Sequence, residues 1–251
     1  MQKLAFLQRP DAEKLAVSRV APAVTFAALL VAYGNAVSAF PEEIHDDYRW
    51  VFIVAGLVVM LLAIVWALRW AGLSLEAMGI TRKGARRGAL IGLGVGAIVI
   101  LPVVAYFIFP LGVSGGSIEY SDTDDRSLAS FTLWALLRQP IGVSLFEETM
   151  FRGVLQGLSV RAYGLVRGIL FAAIIFALWH LVINFRTVRD TNVGDTMGLA
   201  IAAQMASMLG LILGGVFMSV LRQRTGSLAA PIAFHWLVVI AMHGTLFALS
   251  D

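Results

Sequence analysis

The 251-residue chain contains no cysteine. That excludes a disulfide framework, a thiolate metal site and a cysteine nucleophile, and it leaves the redox compartment unmarked. Charge is scarce as well: 14% of the residues are Asp, Glu, Lys or Arg, where a soluble domain of this size carries about a quarter. No period-2 alternation recurs, so the long apolar blocks are not strands. There is no internal repeat, no low-complexity tract and no linker that would divide the chain. No serine–histidine–aspartate arrangement presents itself either, so any nucleophile is water.

Hydrophobic residues make up 59% of the chain, and the mean hydropathy is +0.83. Blocks of about twenty apolar residues fall at about 20–39, 50–68, 88–109, 130–156, 164–184, 197–220 and 227–248, each the length of a membrane crossing. Backbone polar groups find no partners in lipid, so these blocks are expected to be helices. The predicted fold is an all-α polytopic bundle of about seven transmembrane helices in one integral membrane domain spanning residues 1–251. The lipid bilayer is its first partner, and no nucleic-acid partner is expected.

Lysine and arginine alternate along the connections. The first twenty residues carry Lys3, Arg9, Lys14 and Arg19, and "RKGARR" (Arg82 to Arg87), Arg161 with Arg167, and "RQR" (Arg222 to Arg224) are also basic. "FPEEIHDDYR" and "IEYSDTDD" between them are acidic, while the segment holding Arg186, Arg189, Asp190 and Asp195 is neutral. The pattern predicts a cytoplasmic N-terminus. "NAVSAF" (Asn35 to Phe40) has the small residues of a signal-peptidase site, but the long N-region, with Asp11 and Glu13, fits a retained signal anchor. Glycines four apart (Gly92 with Gly96, Gly153 with Gly157, Gly210 with Gly214) predict close helix packing.

Against this apolar background "LFEETMFRG" (Leu145 to Gly153) stands out. Carboxylates at membrane depth are costly and mark function. Neighbouring residues on a helix sit about 100° apart, so Glu147 and Glu148 face different surroundings. Glu148 and Arg152, four apart, meet on one face as a candidate ion pair. Glu147 is left without a cation in its own helix, which disfavours its charged form and suits it to proton transfer. "FALWH" brings His180 one turn after Phe176, and "PIAFHWLVV" brings His235 into the last span. Either histidine alone serves as interhelical glue; a glutamate and two histidines on three helices can also converge in a bundle core. Such a trio could supply a general base, a group that orients water and an oxyanion donor.

"EETMFR" (Glu147 to Arg152), "FALWH" (Phe176 to His180) and His235 after "RQRTGSLAAPIAF" resemble, in order, the three motifs of the CPBP family. That family comprises CAAX-processing proteases and bacteriocin-processing or self-immunity proteins, described as glutamic intramembrane proteases. The resemblance covers the C-terminal half, a family-like core at about 130–250 after N-terminal spans within about 20–109, boundaries placed by the apolar runs. It implies an endopeptidase of a bacterial inner membrane acting on a membrane-associated peptide or protein. By position, Glu147 aided by His180 would activate water, His235 would stabilise the oxyanion, and Glu148, Arg152 and Phe176 would support the site. It implies no cofactor and no metal, although two histidines and a glutamate are also a zinc-type donor set.

One position departs from the family pattern: Val239 stands four residues after His235, where Asn or Asp is expected. Valine donates no hydrogen bond, and one oxyanion donor is worth about 10²–10³ in rate. Asn184, one turn beyond His180, is the nearest candidate donor at a different spacing; His243 lies about 12 Å beyond His235 along the helix, out of reach. The departure keeps open a non-catalytic peptide-binding or immunity role. A proton relay in a transporter is the third reading, opposed by the lack of paired halves. Straight helices would leave His180 roughly 10 Å further outward than Glu147 and His235. Arg138, two residues before Pro140, predicts either an interfacial segment or an ion pair.

Overall fold

The computed structural model describes residues 12–41, 44, 47–109, 127–191 and 194–249. Lys3 and Arg9, and the acidic stretch at 118–125, lie outside the described residues. The described chain forms eight helices. Three come first: α1 (Ala12–Ser38), α2 (Arg49–Arg69) and α3 (Ala85–Ile108). Helix α4 is a long composite over 128–163, followed by α5 (Leu165–Trp179), α6 (Leu181–Arg189), α7 (Met197–Thr225) and α8 (Ala229–Leu249).

The winding of α4 changes along its length. It opens as α-helix at Leu128–Leu133, with the Ser127 hydroxyl accepting from the Ser130 N–H at 3.2 Å. Trp134–Leu145 is wound wider, as π-helix, around Pro140. Proline lacks the N–H that an α-helix interior needs, and its ring collides with the carbonyl four residues back. In the wider winding residues five apart come over one another, and the Ser144 hydroxyl donates to the buried Gln139 Oε1 at 2.9 Å. A single α-turn, Phe146–Glu148, separates this stretch from a second π segment, Thr149–Leu155, before α-helix resumes at Gln156–Tyr163. π turns inside helices recur at functional sites. Gly164, at φ +80°, then turns the chain in one residue from α4 to α5.

The helices α1, α2, α3, α7 and α8 are each long and apolar enough to cross a membrane, and the α5–α6 pair, bent by 48° at His180, makes a sixth span if counted as one. This is an integral membrane protein. The expected span at 130–156 is not among them, so seven is not reached by length and composition. That segment lies on α4, which carries Arg138, Glu147, Glu148 and Arg152 and alternates between two windings.

Three basic connections meet at one end of the bundle. Arg161 donates to the carbonyls of Ala71 and Gly72 at 2.7 and 3.0 Å, Arg222 donates to the Ala77 carbonyl, and the Leu228 N–H donates to the Gly79 carbonyl at 2.9 Å. At the opposite end Arg186 donates to the carbonyls of Ser38 and Phe40, at 2.6 and 2.8 Å, where α1 runs out of its own donors.

Helices α3 and α8 pack closest, and a Cβ placed on Gly92 would stand 2.1 Å from the Ala230 carbonyl oxygen. Gly96 against Leu237, Gly153 against Leu228 and Gly157 against Leu73 are also close-packed. Gly210 and Gly214 are not: nothing lies within 4 Å of a Cβ built on either, so the expected contact there is absent. The packed glycine of α7 is Gly215, against Ala173 of α5. The core is completed by an aromatic cluster of Phe146, Phe151, Phe176 and Trp179, with Tyr33 of α1 at its edge.

Candidate active site

The α-turn between the two π segments of α4 presents both glutamates to the bundle interior. Glu148 is fully buried and Glu147 is 8% exposed. Their partners differ, as their angular separation requires. Glu148 Oε1 accepts from Arg152 Nη1 at 3.0 Å, the expected pair one turn apart, and lies 2.9 Å from Nδ1 of His235 on α8. One carboxylate oxygen therefore ties α8 to α4. Arg152 is itself 1% exposed, and its guanidinium carbon sits 4.0 Å from the centre of the Phe176 ring. A cation over an aromatic face is stabilised by the ring quadrupole, so Phe176 holds Arg152 from α5. Gly215 leaves the room this requires, with its would-be Cβ 3.5 Å from Arg152 Nη2.

Glu147 faces His180. The His180 Nε2 lies 3.6 Å from Glu147 Oε2, and Nδ1 lies 2.8 Å from the Phe176 carbonyl oxygen. A carbonyl only accepts, so Nδ1 carries a proton and donates to Phe176, which leaves Nε2 facing Glu147. The expected 10 Å offset between the two residues is absent. The straight-helix arithmetic fails because His180 is the junction of α5 and α6, with φ −86° and ψ 3°, where the helix bends.

Glu147, Glu148, Arg152, Phe176, His180 and His235 are thus one connected group drawn from α4, α5 and α8. Asn184 is engaged elsewhere: its amide donates to Gln204 Oε1 of α7 at 2.5 Å. Val239 is half-buried, one turn beyond His235. His243 packs against Trp134, ring centres 4.8 Å apart. Among the described residues, no three of His, Asp and Glu are placed to hold a metal ion.

A cavity of about 180 Å³ opens beside Glu147. Tyr33, Arg49, Arg138, Phe146 and Trp179 share its lining, so four helices contribute. Arg138 finds its place here, in the wall of the glutamate's cavity. Sequence reasoning missed Tyr33 and Arg49, which belong to no motif, and Trp179, which stands in "FALWH" between its two matched residues. A polar or aromatic residue inside an apolar run was the only available signal.

Residues 129–241 match the family model described as Type II CAAX prenyl endopeptidase Rce1-like. Neither a curated protein nor a solved structure matches the chain.

Proposed function

Residues 129–241 belong to the CPBP (CAAX protease) family, and from that premise we propose that the chain is an intramembrane endopeptidase that hydrolyses a peptide bond of a membrane-associated substrate with a Glu/His-activated water. The observation that carries the reading is the 3.6 Å approach of His180 Nε2 to Glu147 Oε2 beside an open cavity. Catalytic bases need a carboxylate or imidazole within reach of the proton they take, and a path for water.

In this reaction Glu147 accepts a proton from water as the hydroxide oxygen bonds to the scissile carbonyl carbon. His180 orients that water through Nε2, its other nitrogen being occupied by the Phe176 carbonyl. His235, which donates to Glu148 through Nδ1–H, donates from Nε2–H to the developing oxyanion, so it takes part in this step with both ring nitrogens protonated. The C–N bond then breaks and Glu147 returns the proton to the departing amine. Arg152 pairs with Glu148 at 3.0 Å, so that one carboxylate oxygen holds both Arg152 and His235. The water is activated by the carboxylate without a metal, and activity should survive a strong chelator.

Glu147→Gln keeps size and packing but removes the base, and His180→Ala removes its partner. Each is expected to reduce cleavage of a prenylated CAAX peptide by at least about 10², the scale of a general base, while the purified protein keeps its helical circular dichroism. Normal turnover by Glu147→Gln would overturn the assignment.

Val239 favours a second reading, in which the same scaffold binds a peptide or partner membrane protein without cutting it. That reading expects Glu147→Ala to leave the protein's cellular phenotype unchanged.

A further inference from the structure

The bend that delivers His180 lies in "FALWHLVINF", which contains neither proline nor glycine. Sharp helix kinks are caused by proline, glycine or serine, π-bulges, or an inserted group. The inserted group is visible. Asn35 of α1 places its carboxamide at the break: Nδ2 donates to the Leu178 carbonyl at 2.9 Å, and Oδ1 accepts from the Val182 N–H at 3.0 Å. In an uninterrupted α-helix those two backbone groups would bond to each other, since residue i donates to residue i−4. The side chain takes the place of that one rung. It is held in register by a second donation from Nδ2 to the Val31 carbonyl of its own helix at 2.8 Å. Only one orientation of the amide satisfies two carbonyls and one N–H, so its oxygen and nitrogen are fixed by the partners.

The neighbouring contacts act in the same sense. Gly34 lets Trp179 lie directly against α1, where a Cβ would stand 2.4 Å from the indole ring. With Asn35 bonded to Leu178 before the bend and Val182 after it, α1 grips both sides of the bend. We propose that Asn35 is a positioning residue for His180: by substituting for one helical hydrogen bond, it holds open the 48° break that turns the imidazole towards Glu147. Asn35 lies outside the matched segment 129–241, so the N-terminal span is part of the site's machinery. This inference rests on the endopeptidase reading for its kinetic consequence, but not for its structural one.

The test combines ¹⁵N-histidine NMR of the detergent-solubilised full chain with turnover of a prenylated, internally quenched CAAX peptide. Asn35→Leu is close to isosteric and removes all three side-chain hydrogen bonds. Asn35→Asp keeps the acceptor for Val182 and loses the donor to Leu178. Arg186→Met is the control, because Arg186 also ties α6 to α1 but away from the break. In the wild type and in Arg186→Met, the His180 resonance, assigned by its loss in His180→Ala, is expected to report a ring protonated at Nδ1. In Asn35→Leu that resonance shifts or splits, and kcat falls about 10–100-fold, the scale of a displacement near 1 Å, with KM within about two-fold; Asn35→Asp falls between. An unshifted His180 resonance in a folded Asn35→Leu protein overturns the proposal, and if that variant does not fold, an unshifted resonance in Asn35→Asp does so. A His180 shift in a chain whose wild type does not cut the peptide would uphold the positioning and sink the endopeptidase reading instead.

Discussion

Glu147 and Glu148 are adjacent in sequence and opposite in situation. Glu148 has lost all contact with water but gained Arg152 and His235 on a single oxygen. Removing one member of such a buried pair strands the other charge, which is why its value lies in specificity of arrangement more than in net stability. Glu147 faces a histidine at 3.6 Å and a cavity whose lining includes Arg49 and Arg138. The difference follows from one residue of helical rotation. Val239 occupies the remaining position of interest, one helical turn past His235. Restoring an amide there with Val239→Asn is expected to raise kcat on the prenylated peptide, by at most the 10²–10³ or so that one oxyanion donor supplies, with KM little changed. No rise would show that position 239 does not face the reacting carbonyl.

At the scale of elements, the bundle closes through glycines whose roles differ. Gly92 of α3 lies so close to the Ala230 carbonyl that a methyl group cannot be accommodated without separating α3 from α8, the helix that carries His235. Gly92→Ala should therefore lower the thermal midpoint in detergent, with a loss of about 1–3 kcal/mol as for other overpacked cores. Gly214→Ala, with nothing within 4 Å, should leave it unchanged. A four-residue spacing alone gave no means of telling these two glycines apart, because it records which face they share and not what the face meets. The same limit explains the bend. Hydropathy marks one apolar run through His180, and helical periodicity continues across it. The break is imposed by Asn35, a residue more than 140 positions away in sequence. By contrast, the Glu148–Arg152 pair was legible at once, being a contact within one helix at fixed spacing. His235 was legible as a histidine inside the last apolar run, but its attachment to Glu148 depends on how α8 packs against α4 and has no local trace.

For the whole molecule, hydropathy settled the class, since no soluble fold tolerates so little charge over so many apolar blocks. What length and composition leave unsettled is which side of the membrane the basic end faces. The connections holding Arg82, Lys83, Arg161, Arg222 and Arg224 gather at one end of the bundle, tied by Arg161 to Ala71 and by Arg222 to Ala77. Lysine and arginine are retained on the cytoplasmic side during insertion. On that rule the end of α2 near Arg69 is expected inside and its start at Arg49 outside, some 30 Å apart for twenty-one helical residues. The absence of native cysteine makes the orientation directly measurable, because any introduced thiol is the sole target of a maleimide. Tyr48 and Glu76 flank α2 at opposite ends and are both exposed. In intact spheroplasts a membrane-impermeant maleimide should label Tyr48→Cys and spare Glu76→Cys, with both labelled once the membrane is permeabilised. The reverse pattern would put the basic end outside, and with it the short connection from α4 to α5 that follows the glutamates.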